Sequence, residues 1–239
     1  MGSKAKHRIK IVLFSFLIFF VAIFIGFYVY TLDYYHADDT ALQVHDDYHT
    51  RITIKDNMTF LYPSKENDLS TAFIFYPGGK VEADAYLPLL SSLSDKGITC
   101  ILVKMPFHLA VFNIRGADKV LPYLADFDHY YIGGHSLGGA MASSYVKSHQ
   151  EQFEGLILLG AYPVNEINLP TLALYGSNDL VLDKTKLIDT IDLNEIVGGN
   201  HAYFGNYGEQ DGDGTAAITR EQQQDITMDN IINFINQNN

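Results

Sequence analysis

The sequence predicts an α/β fold, a mostly parallel central sheet flanked by helices, preceded by one transmembrane helix. Three observations predict it. Short β-branched and aromatic runs alternate with longer amphipathic stretches, a glycine-rich turn containing serine stands between an apolar run and a helical pattern, and 20 uncharged residues lie near the N-terminus. With 239 residues, 47% hydrophobic and 18% charged, the chain has material for one well-packed domain and an appendage.

The first element is Ile11–Tyr30, interrupted only by Ser15 and Gly26. As a helix it spans about 30 Å, the thickness of a bilayer core. Lys4, Lys6, Arg8 and Lys10 precede it, and Asp33, Asp38 and Asp39 follow. The positive-inside bias therefore predicts a single-pass protein of the cell membrane, residues 1–10 cytoplasmic and the rest exported. A cleaved secretory signal is the competing reading. Such signals carry an apolar region of roughly 7–15 residues followed by small residues, whereas Tyr28, Tyr30, Tyr34 and Tyr35 occupy that neighbourhood here. An uncleaved anchor is the better match. A buried core helix fits poorly, since the run has no polar face.

Beyond residue 30, 12 basic residues stand against 28 acidic ones. Such a surface repels phosphate backbones, which argues against nucleic acid as a partner. Cys100 is the only cysteine, so neither an intrachain disulfide nor a cysteine-rich zinc site is possible.

Residues 31–50 are polar and acidic without clear periodicity and read as a tether leading into the domain at 51–237. Arg51–Ile54 and Thr59–Tyr62 look like an antiparallel hairpin. Parallel strands are expected at Ala72–Tyr76, Ile98–Lys104, Tyr130–Gly133, Leu156–Ala161, Thr171–Tyr175 and Glu195–Val197. Helices are expected near Ala83–Ser94, Ala117–Ala125, Leu137–Ser148, Lys184–Thr190 and Glu221–Asn236. The segment between Ala161 and Pro170 is too short for a lid domain.

The strongest local signal is Gly133-Gly134-His135-Ser136-Leu137-Gly138-Gly139, which follows the apolar Tyr130–Ile132 and opens a helical pattern. It contains G-x-S-x-G in the strand-to-helix setting that the pattern requires. A strained elbow there lifts the Ser136 hydroxyl above the sheet, and glycines remove side chains that would strike neighbouring backbone. Serine is a weak nucleophile at neutral pH, so a base and an orienting acid are needed. Gly176-Ser177-Asn178-Asp179 follows a later strand and offers Asp179 as the acid. Asp183 is a fallback that reads more simply as a helix cap. Gly198-Gly199-Asn200-His201 follows a still later strand and offers His201 as the base. Of nine histidines, His201 alone has the right place in chain order, with His135 in the elbow facing elsewhere. The backbone N–H of Leu137 supplies one oxyanion donor by construction. The Pro77-Gly78-Gly79-Lys80 turn supplies the second, from Gly79 or else from Lys80.

Together these segments resemble the α/β-hydrolase superfamily, and within it small lidless bacterial membrane-anchored hydrolases related to dienelactone hydrolases. The likeness rests on FYPGGKVEADAYLPLL at 75–90, VKMPFHLAVF at 103–112, IGGHSLGGAMA at 132–142, YGSNDLV at 175–181 and GGNHAYFGNYGEQDGDG at 198–214. It implies the α/β-hydrolase fold, a triad of Ser136, Asp179 and His201, and an oxyanion hole from Gly79 and Leu137. Dienelactone hydrolases proper use cysteine where this chain has Ser136, which weighs against lactones.

The leading expectation is a membrane-anchored serine hydrolase that cleaves carboxylic esters, a small acyl substrate being its partner, with no metal or organic cofactor required. A catalytically silent binding module of the cell envelope and an acyltransferase with the same triad are the alternatives. Other features carry less. The run from Glu209 to Gly214 lacks the closing glutamate of a calcium loop, since Arg220 holds the twelfth position, and reads as a solvated acidic turn that helps orient the loop carrying His201. Cys100 reads as a small core residue.

Overall fold

The computed structural model describes residues 3–187 and 192–239. It divides into two compact units, residues 1–34 and 35–239. The first is essentially one helix, α1 (Ser3–Leu32). Within it Lys10–Leu32 is long and apolar enough to cross a membrane, and nearly all of it is exposed.

The second unit is built on eight strands in the order β1-β2-β4-β3-β5-β6-β7-β8. β1 (Ile52–Lys55) and β2 (Met58–Leu61) form the expected hairpin. Asp56 and Asn57 make its two-residue turn with φ of 52° and 62°, the left-handed pair that matches the twist of paired strands. β2 runs antiparallel to β4 (Ile98–Val103). From β4 onward every pairing is parallel, through β3 (Thr71–Tyr76), β5 (His129–His135), β6 (Gly155–Leu159), β7 (Thr171–Gly176) and β8 (Asp192–Ile196).

Parallel strands covered on both faces bury every side chain, and β3, β4 and β6 do. Phe73 and Phe75 of β3 join one core, with Leu87, Leu90 and Leu93 of α3 (Leu87–Asp95) and Ile231, Phe234 and Ile235 of α5 (Arg220–Asn238). Ala72, Ile74 and Tyr76 join the other, with Ala142, Tyr145 and Val146 of α4 (Leu137–Val146). Each such leucine or phenylalanine, fully withdrawn from water, contributes roughly 1.5–3 kcal/mol before its ordering cost. α5 opens on a reciprocal cap between Thr219 and Gln222.

Four segments differ from expectation. Part of the stretch read as a tether is α2 (Asp39–Asp47), capped by the Asp38 carboxylate on the Ala41 N–H and burying Ala41 and Val44. Ala41, Leu42 and Val44 are the only apolar positions in its nine residues, too few to register as a period. No α-helix forms over Ala117–Ala125. Pro122 lacks an N–H, and the segment makes short 3₁₀ turns at Ile114–Lys119 and Leu121–Tyr123 instead. The Tyr76 hydroxyl supports them, accepting from the Ala117 N–H at 2.7 Å and donating to the Ile114 carbonyl at 3.0 Å. Of the helix expected at Lys184–Thr190, Lys184–Lys186 is a 3₁₀ turn, and residues 188–190 lie outside the described residues. β8 begins three residues before its expected start, because its first four residues are only half-buried or exposed.

Candidate active site

A parallel sheet delivers the residues that follow its strands to one edge. The segments leaving β3, β5, β6, β7 and β8 carry Gly79, Ser136, Gly160, Asp179 and His201 respectively. Ser136, Gly160 and His201 line a cleft of about 300 Å³, together with Leu137, Tyr162 and Leu182.

Ser136 sits between β5 and α4 with φ 51° and ψ −122°. This backbone is costly for any residue with a side chain, by roughly 1–3 kcal/mol. Its N–H donates to the Leu159 carbonyl at 2.9 Å, which ties the elbow to β6. A Cβ on Gly134 or Gly138 would collide with the Tyr76 carbonyl, so the motif's glycines are steric necessities here. The chain then turns into α4, whose first N–H, that of Leu137, has no carbonyl to bond within its own helix.

The β3 loop lies against that N-terminus. A Cβ built on Gly79 would fall 2.9 Å from Leu137 Cδ2. The Lys80 N–H is engaged, donating to the His108 carbonyl at 2.8 Å. Of the two amides weighed for the second oxyanion donor, only that of Gly79 stays in play.

On the other side of the cleft, His201 Nδ1 lies 2.8 Å from Asp179 Oδ2, with both side chains almost wholly buried. Asp179 Oδ1 also accepts from the N–H groups of Val181, at 2.9 Å, and Leu182, at 2.8 Å. An acceptor-only carboxylate opposite Nδ1 assigns the ring proton to Nδ1 and leaves Nε2 with its lone pair. Nε2 is buried and has no hydrogen-bond partner among the described residues. Ser136 lines the same cleft, and hydrogen bonds of this kind often tighten only when substrate arrives. Asp183, the fallback acid, is exposed and caps the turn after it through Thr185.

Further residues support this pair, most of them not singled out by the sequence. Gly160 takes φ 51°, and a Cβ there would stand 2.8 Å from His201 Nδ1; only glycine suits both demands. Asp213, in the acidic turn expected to orient the His201 loop, accepts from Ala202 N–H at 2.8 Å and Leu180 N–H at 3.4 Å. It thereby joins the residues directly after His201 and Asp179. Asn200 Nδ2 donates to the Gly214 carbonyl and Asn178 Nδ2 to that of Thr215. Gln223 of α5 bonds the Asn200 N–H and carbonyl.

His135 does not face elsewhere. Its ring centroid is 4.5 Å from that of His201, and it is fully buried. The Tyr86 hydroxyl bonds its Nδ1 at 2.8 Å and accepts from the Gly78 N–H at 3.0 Å. Burial first, and then the neighbouring His201, hold its imidazole well below the usual range, so it is neutral at pH 7. Only through-space proximity reveals this role. Cys100 is a core residue of β4 as expected, and burial pushes its thiol up, away from reactivity.

The fold recurs in solved structures. A serine hydrolase homologue from Coxiella burnetii matches with a TM-score of 0.53 and 13% identity over 75% of this chain and 95% of its own. Est1E from Butyrivibrio proteoclasticus gives 0.52 and 13%, over 77% and 98%. A structure of the metagenome-derived lipolytic enzymes LipS and LipT gives 0.54 and 12%, over 74% and 97%. At such identities the likeness is one of fold. No curated protein matches the sequence. Residues 72–225, from β3 into α5, match the family model described as the alpha/beta hydrolase family, without singling out its dienelactone branch. With that match covering more than half the sequence, the chain belongs to the alpha/beta hydrolase family.

Proposed function

We propose that this chain is a membrane-anchored serine hydrolase that cleaves carboxylic esters through an acyl-enzyme. The observation that carries the reading is the buried His201–Asp179 bond at 2.8 Å, with Nε2 left unpartnered in the cleft that Ser136 lines. Ser136 Oγ attacks the substrate carbonyl carbon and its proton passes to His201 Nε2, while Asp179 stabilises the imidazolium. The N–H groups of Gly79 and Leu137 receive the oxyanion, helped by the positive end of α4. Collapse of the tetrahedral intermediate expels the alcohol, which takes the proton from Nε2. Water, deprotonated by the same nitrogen, then releases the acid and restores Ser136. The names of similar folds, a serine hydrolase homologue and lipolytic enzymes, agree with this class of reaction. The apolar Lys10–Leu32 helix, with basic residues before it and acidic ones after, supports an uncleaved anchor holding the domain outside the cytoplasmic membrane.

A fluorophosphonate probe tests the chemistry. Wild type takes one label on Ser136, and Ser136→Ala takes none. A folded wild-type protein that stays unlabelled refutes the hydrolase assignment.

A further inference from the structure

The N-terminal edge of the second unit is stitched to the rim of the candidate active site. Tyr35 pairs in parallel with Val81, its N–H donating to the Lys80 carbonyl at 2.7 Å and its carbonyl accepting from Glu82 N–H at 2.8 Å. Lys80 is the neighbour of Gly79. Two residues on, the Ala37 N–H donates to Glu82 Oε2 at 3.0 Å. The Asp38 N–H donates to the Asn206 carbonyl at 2.9 Å, in the segment that follows His201. The chain thus enters the domain between the loop that bears Gly79 and the loop that bears His201.

α1 ends at Leu32. Only Asp33 and Tyr34 separate it from Tyr35, and three Cα steps reach at most about 11 Å even when fully extended.

The carboxyl edge of the sheet also exposes apolar side chains. Among the described residues, 12 large hydrophobic side chains are exposed outside α1, and half of them leave the carboxyl ends of β4, β7 and β8. These are Phe107, Val111, Phe112, Leu180, Val181 and Val197. Val181 also lines the cleft. Exposed apolar side chains gathered at the carboxyl edge of a sheet mark a surface that meets an apolar phase or partner, and the short connection makes the bilayer that phase.

We infer that the substrates are amphiphilic esters resident in the bilayer that holds the anchor, presented to Ser136 at the membrane surface rather than from free solution. This deepens the hydrolase reading and rests on it. A 20-residue Ala/Glu/Lys-rich helical spacer inserted between Leu32 and Asp33 would raise the domain by roughly 30 Å without touching its fold. The full-length chain and the spacer variant are reconstituted in phosphatidylcholine vesicles and given two fluorogenic coumarin esters, one with two long acyl chains dissolved in the bilayer, the other the water-soluble acetate. The spacer is expected to lower cleavage of the bilayer ester at least about tenfold and to leave acetate cleavage within about twofold. Equal cleavage of the bilayer ester by both proteins, or cleavage of the acetate alone by wild type, overturns the inference while leaving the hydrolase assignment intact. Cleavage of neither ester, with no fluorophosphonate labelling, refutes the hydrolase assignment and this inference with it.

Discussion

The two sides of the cleft are built by different means. Ser136 is positioned by seven contiguous residues, Gly133 to Gly139, in which the absence of side chains lets backbone meet backbone. His201 and Asp179 are positioned by hydrogen bonds between segments far apart in sequence, with Asp213, Asn178, Asn200 and Gln223 as the ties. Contiguous steric constraints leave a readable pattern, whereas long-range polar ties do not.

Four substitutions sharpen or break that contrast. Asp179→Asn should have the largest effect. It keeps the shape but favours the wrong imidazole tautomer, and kcat on a soluble ester should fall on the order of 10⁴-fold, about 5 kcal/mol of transition-state stabilisation. A fall of less than tenfold would remove Asp179 from the relay. Gly138→Ala should act on the other side through the fold. The new methyl meets the Tyr76 and Pro77 carbonyls, and overpacking against rigid backbone should cost about 3 kcal/mol in denaturant unfolding. Unchanged stability would mean that the elbow has room to relax.

Asp213→Ala removes the acceptor shared by Ala202 and Leu180. Small misplacement of the His201 and Asp179 loops should lower kcat by about 10- to 100-fold, with fluorophosphonate labelling slower but retained. Wild-type kcat would show that Asn200 and Gln223 suffice. His135→Gln should have the smallest effect, and a pH-dependent one. The folded imidazole titrates well below its unfolded value, so the unfolded state binds more protons as pH falls. The stability from neutral His135 is present above the unfolded pKa, about 6.5, and is lost progressively as pH falls below it. The gap in Tm between wild type and variant should therefore narrow from pH 8 to pH 5. A gap that holds constant would contradict a buried neutral imidazole.

The same contrast explains what the sequence made legible. The parallel strands were readable because burial on both faces leaves unbroken apolar runs, as in Ala72–Tyr76 and Leu156–Leu159. The meeting of Asp179 with His201 was legible because parallel strand ends converge, so chain order stands in for position. The neighbours Tyr86 and Gly160 were not, and of Asp213 only its acidic turn was. Nothing local in a tyrosine before a helix or a glycine after a strand tells which distant loop it meets. α2 was missed for a related reason, since its stability comes from the Asp38 cap and from packing Val44 on a core assembled elsewhere in the chain.

Cys100 gives the molecule one practical property. Because its sulfur is sealed inside β4, with no other thiol in the sequence, a cysteine introduced at an exposed position such as Leu180 should be the sole target of a maleimide dye. The wild-type background then needs no silencing, and fluorescence from that position can report directly whether lipid or water surrounds it.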